Sequence, residues 1–185
     1  MKKVILLIYI IFFANLFTNA QLTESFTDGD ITTNPAWGGG LTDFTVNPAF
    51  QLQSNNSIVN STYYLSTAST LATTAQWEFY HQISFNPSSA NYTDVFLTAS
   101  ASDLTATTTN GYFVRIGNTA DEIALYRKDG AVVTKIIDGV DGTLNTSNNI
   151  MKIKVVRNAA NQFTLNRDLT GTGNSYFTEG VVTEV

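Results

Sequence analysis

Alternation of apolar and polar positions dominates this chain. From residue 21 onward, no window keeps apolar residues at i, i+3, i+4 and i+7 over three turns, so helices are not expected. Thr, Val, Ile, Phe and Tyr recur with a period of two instead, which is strand composition. The run QWEFYHQISF places Trp77, Phe79, His81, Ile83 and Phe85 on one face and Glu78, Tyr80, Gln82 and Ser84 on the other. YTDVFLTAS follows as its expected sheet neighbour. In GYFVRIG, Tyr112, Val114 and Ile116 share a face opposite Phe113 and Arg115. DEIALYRKDGAVVTKIIDG predicts a hairpin turning near Asp129-Gly130, because Asp-Gly suits tight turns with positive φ. IMKIKVVRNAANQFTLNRD predicts a second, with Met151, Ile153 and Val155 inward, Lys152 and Lys154 outward, and a turn at Asn158–Asn161. The polar stretches Ser54–Thr62 and Ser100–Asn110 read as surface loops. Turn signals recur about every 8–12 residues, the spacing of a sandwich or barrel.

The first twenty residues stand apart. Lys2 and Lys3 precede an apolar run from Val4 to Phe17, and Thr18-Asn19-Ala20 supplies small residues for cleavage. This pattern predicts a secretory signal cut after Ala20, leaving a secreted or surface-displayed protein beginning at Gln21. The run is short for a membrane span. No membrane insertion is therefore expected after cleavage. The remaining 165 residues suffice for one domain and its own core. Cysteine is absent, which removes thiolate metal sites, cysteine nucleophiles and disulfide frameworks. The formal net charge is −5, and loss of the two leader lysines takes it to −7. No basic cluster is present, so nucleic acid is not an expected partner.

The succession WEFYHQISF, VFLTAS, NGYFVRIGNTADEIALYRKDG, IMKIKVVRN and QFTLNRD resembles the laminin-G-like, concanavalin-A-like jelly-roll family. The opening QLTESFTDGDITTNPAWGG is similar to the first domain of large secreted proteins of gliding bacteria. Those proteins use type IX secretion, and some carry lamin-tail domains. The resemblance implies an all-β sandwich of two antiparallel sheets. In such sandwiches the first strand, here Leu22–Phe26, pairs with a C-terminal strand. The chain ends at SYFTEGVVTEV, which reads as one more strand. On that basis residues 21–185 are expected to be an N-terminal fragment lacking its closing strands, with further domains downstream. A complete domain closed by Val181–Val185 is the alternative.

Candidate chemistry is sparse. His81 is the sole histidine, and it lies in the apolar period of its strand. Its expected role is structural, since an acid–base histidine needs an orienting carboxylate and zinc needs three or four ligands. Retaining glycosidases need two carboxylates about 5–5.5 Å apart. Asp121 and Glu122 are adjacent and so point to opposite faces of a strand. The acid-rich strand that sandwich glycosidases carry is missing, so no enzyme is expected. Calcium takes oxygen ligands from acidic loops. Asp28 with Asp30, and Asp138 with Asp141, are the candidate ligands, although Asp and Gly in both loops also suit plain turns. Exposed rings could stack on sugar, and Trp37, Tyr80, Tyr92 and Tyr126 are the candidates, against a core-packing role for each. The functional expectation is a non-catalytic module binding glycan or a surface protein in an adhesion role, with calcium as an optional cofactor. A structural spacer presenting downstream domains is the alternative, and a polysaccharide hydrolase the third class.

Overall fold

Strand follows strand with almost no helix in the computed structural model, which describes residues 22–184. The proposed leader and its cleavage point lie outside the described residues. Twelve strands run in order: β1 Gly38–Gly39, β2 Phe44–Val46, β3 Leu52–Ser54, β4 Leu65–Ser66, β5 Ala75–Ile83, β6 Tyr92–Ala99, β7 Gly111–Gly117, β8 Glu122–Asp129, β9 Val132–Ile137, β10 Asn149–Arg157, β11 Gln162–Asp168 and β12 Phe177–Thr183. One short 3-10 turn, Leu41–Asp43, interrupts them.

Two four-stranded antiparallel sheets form the body, in the orders β12-β11-β10-β5 and β6-β7-β8-β9. The protein is an all-β sandwich. The second sheet is a continuous meander inserted, in sequence, between β5 and β10, which pair with each other. Alternation explains the layering, because each strand offers one apolar face and the two sheets close those faces against each other. Ile83, Leu97, Val114, Ile116, Ile123, Leu125, Ile137, Met151, Ile153, Val155, Phe163 and Leu165 fill the space between the sheets. Each such side chain contributes about 1.5–3 kcal/mol on burial, enough in sum to dispense with covalent staples.

The two hairpins occur where their turn residues predict. Gly130 and Ala131 link β8 to β9, with Gly130 at φ +61°, and Asn161 closes the β10–β11 turn at φ +58°. Ser54–Thr62 and Ser100–Asn110 are irregular beyond Ser54.

Three expectations are corrected. YTDVFLTAS, as β6, does not pair with β5. Both strands bury one face in the same core, but the Ser84–Asn91 connection carries the chain from one sheet to the other, and β10 takes the place beside β5. Phe85 lies past the end of β5 and is exposed, so the inward face of that strand stops at Ile83. Leu22–Phe26 is not a strand. Its residues satisfy one another locally instead: the Phe26 N–H donates to Glu24, the Gly29 N–H to the Phe26 carbonyl, and the Phe26 ring packs 6.3 Å from that of Trp37. Residues of SYFTEGVVTEV do form a strand, β12, which pairs with β11.

Candidate functional site

The outer face of the first sheet is built by strand register. Tyr80 lies opposite Lys152, and Lys152 opposite Asp168; Glu78 lies opposite Lys154, and Lys154 opposite Asn166. Residues two apart on β5 share this face, so Glu78, Tyr80 and Gln82 all point out. The Tyr80 ring is 44% exposed. Its hydroxyl donates to Gln82 Oε1 at 3.3 Å, and Gln82 Nε2 donates to Asn148 Oδ1 at 3.0 Å. An open aromatic ring thus stands beside the Gln82 amide, which Asn148 orients from its other side.

The connection from β11 to β12, residues 169–176, folds back over one side of this face. Gly171 allows that approach. It sits at φ +71°, and a Cβ there would lie 2.7 Å from Ile150 Cγ2 and 3.2 Å from the Tyr80 ring. Asp168 ties the segment down. Its carboxylate is almost fully buried and accepts from the Thr170 hydroxyl at 2.6 Å. It also accepts from the N–H groups of Thr170 (2.8 Å), Gly173 (2.8 Å), Asn174 (3.0 Å) and Ser175 (3.2 Å). The Thr170 hydroxyl, and then the backbone N–H groups, hold this carboxyl well below the usual range. The segment ends at Tyr176, whose ring lies 3.9 Å from Lys154 Nζ. Burial, and secondarily the nearby Glu78 carboxylate, push the Tyr176 hydroxyl up to about 12.

Charge on this face is internally balanced. Lys152 Nζ meets Glu78 Oε1 at 2.8 Å, and the same contact lowers the Glu78 carboxyl. Three acids elsewhere are similarly paired. Asp94 binds Arg115 through both oxygens at 2.8 Å each. Glu122 binds Lys135 at 2.6 Å, and Glu179 binds Arg167. A shallow cleft of about 300 Å³ opens where β6, β7 and β8 end, lined in part by Tyr112, Arg127 and Asp129. Its cations are occupied too: Arg127 is bound to Asp129 at 2.7 Å and to Glu184 at 2.5 Å, and Lys128 donates to the carbonyls of Ala106, Thr109 and Gly130.

The candidates from sequence scatter over the molecule. Tyr92 is 41% exposed but belongs to the other sheet, where the Arg115 guanidinium covers its ring at 4.3 Å. Tyr126, a candidate ring weighed against core packing, takes the packing role: it is only 8% exposed. Its ring stacks on Phe113 at 5.3 Å, Phe113 stacks on Phe96 at 4.9 Å, and Arg115 lies over Tyr126 at 5.1 Å. This aromatic ladder lies on the outer side of the second sheet, so the tyrosine is buried on the face where the strand pattern places it in solvent. Trp37 is half-buried against Phe26, with its indole N–H directed at Glu24 from 3.5 Å. Only Tyr80 combines an open ring with preformed polar neighbours.

The acidic candidates act as turn acceptors or ion partners. Asp28 accepts the Asp30 N–H, and Asp30 accepts from Thr32 and Thr33, which lowers its carboxyl through the Thr32 N–H first. Lys135 takes Asp138, while Asp141 is exposed. Among the described residues, no three His, Asp or Glu side chains converge as a metal ion would require.

His81 faces the interior opposite Met151. Its Nε2 is buried without a hydrogen-bond partner, and burial alone pushes the imidazole down to about 4.

Gln82, Asn148 and Asp168 were missed. Gln82 was legible, being two residues from Tyr80 on one strand. Asn148 comes from a distant connection, and no local signal marks it. The run DLTGTGNS does carry a signal for Asp168, an acid followed by small residues able to curl N–H groups around it. Comparison with protein-family models, curated proteins and solved structures returned no match.

Proposed function

We propose that the protein is an exported, non-catalytic module that binds glycan through the outer face of the β12-β11-β10-β5 sheet. The observation that carries this reading is the Tyr80 surface: an exposed ring bonded to the Gln82 amide, which Asn148 orients in turn. Sugar recognition uses this chemistry, an apolar ring for a pyranose face and fixed amides for its hydroxyls. A non-catalytic role is supported by the pairing of Asp94, Glu122 and Glu179 with Arg115, Lys135 and Arg167, which leaves these acids poorly placed to share a proton with a glycosidic oxygen. The antiparallel sandwich suits a laminin-G-like module. Export rests on the leader pattern, and mass spectrometry of secreted protein should find Gln21 at its start.

The test is a glycan array probed with the purified protein, with and without EDTA. Binding that survives EDTA places recognition in the chain's own residues. Binding lost with EDTA adds calcium, for which the Asp28/Asp30 and Asp138/Asp141 loops are the first places to mutate. Absence of binding to every glycan would remove the module reading and favour a spacer that presents neighbouring domains.

A further inference from the structure

We infer that the ligand of the Tyr80 surface is an uncharged oligo- or polysaccharide, recognised by stacking of one pyranose ring on Tyr80 and by hydrogen bonds to Gln82 and Asn148. This inference rests on the glycan-binding reading and names the class of glycan. Charge balance carries it. Both cations near the ring are already engaged, Lys152 with Glu78 at 2.8 Å and Lys154 against the Tyr176 ring at 3.9 Å. The one other charged group in the row, Asp168, is enclosed by donors from its own loop. Tyr80, Gln82 and Asn148 therefore present hydroxyl and amide groups, with no cation to spare.

A uronate, sulfate or sialic acid needs a charge-assisted donor, usually Arg or a free Lys. Taking Lys152 for that purpose would release Glu78 and leave its carboxylate facing the ligand's own anion. The formal net charge of −5, or −7 once the two leader lysines are lost, adds a long-range penalty for any acidic polymer. A neutral hexose or pentose chain meets neither obstacle. Its hydroxyls match neutral amides that both donate and accept. The Gly171 backbone beside the ring also limits the platform on that side, which suits one stacked sugar rather than a broad aromatic strip.

Affinity electrophoresis separates the outcomes. The full-length secreted protein is run through gels containing neutral polysaccharides (β-glucan, xylan, galactomannan) or acidic ones (polygalacturonate, alginate, a sulfated galactan). Retardation by at least one neutral polymer is expected, and it should persist at about 0.5 M salt, where exposed charge interactions are screened. Tyr80→Ala should weaken it about tenfold or more, the effect of losing one good contact. Gln82→Ala, which also releases the Tyr80 hydroxyl and the Asn148 amide, should weaken it too. Tyr92→Ala, on the other sheet, should leave it unchanged. Retardation by acidic polymers alone, lost in salt or in Lys152→Met, would overturn the inference while sparing the module reading. Neutral binding untouched by either Tyr80→Ala or Gln82→Ala would overturn the siting. No retardation by any polymer would remove the module reading, and the inference would fall with it.

Discussion

Acid should destabilise this protein through His81 before its carboxylates titrate fully. The imidazole lies between the sheets, on the inner face of β5, with Nε2 buried and unpartnered. Burial lowers its pKa from 6.5 to about 4. The unfolded chain therefore takes up a proton below about pH 6.5 that the folded chain refuses until about pH 4. Stability attributable to this residue is complete above pH 6.5 and is lost as pH falls through that window. A gap of about 2.5 units at about 1.4 kcal/mol per unit amounts to roughly 3 kcal/mol. In a domain of this size that is on the order of 10 °C in Tm. Urea melts at pH 7.5, 6, 5 and 4 would measure it, with His81→Met as the reference because it fits an apolar site and cannot titrate. Carboxylates act in both proteins, so the difference between them isolates the imidazole. The wild type should lose about 3 kcal/mol more than the variant across the window. Parallel pH profiles, or an imidazole that titrates near 6.5 by NMR in the folded protein, would refute the reasoning.

Other consequences are equally direct. Lys128 Nζ donates to the carbonyls of Ala106 (2.8 Å), Thr109 (3.0 Å) and Gly130 (2.6 Å), so Lys128→Met should cost about 1–3 kcal/mol and speed amide exchange within residues 100–110. Arg115→Lys keeps the charge but loses the two-pronged contact with Asp94, and thermal melts should show a loss of about 1–3 kcal/mol, whereas an unchanged Tm would show the fork to be dispensable. Gly111→Ala would place a Cβ 2.0 Å from the Thr98 carbonyl beside the β6 bulge, so it should destabilise by about 1–3 kcal/mol in denaturant melts while Gly29→Ala, with open space but positive φ, costs less.

The candidate surface was partly legible from local pattern. Tyr80 and Gln82 were placed together outward because strand residues two apart share a face whatever the fold around them. The same rule put Met151, Ile153 and Val155 inward, and the turns at Gly130 and Asn161 followed from residues that tolerate positive φ. These features depend on a few consecutive residues, so the sequence by itself determined them. Partner choice does not. An apolar face reads the same whether it closes on one sheet or the other, so nothing near YTDVFLTAS revealed that β6 leaves β5, or that β10 arrives there after some seventy intervening positions to set Met151 against His81. Burial on an outer face is likewise a tertiary event. Tyr126 follows the outward period of β8, yet Phe113, Phe96 and Arg115 on neighbouring strands close over it. Leu22–Phe26 is a strand in the family the chain resembles, but a strand forms only where another edge accepts its hydrogen bonds, and among the described residues none does. Asn148 joined Gln82 for the same kind of reason: the crossing of the chain between sheets, not any pattern along it, brings the two amides together.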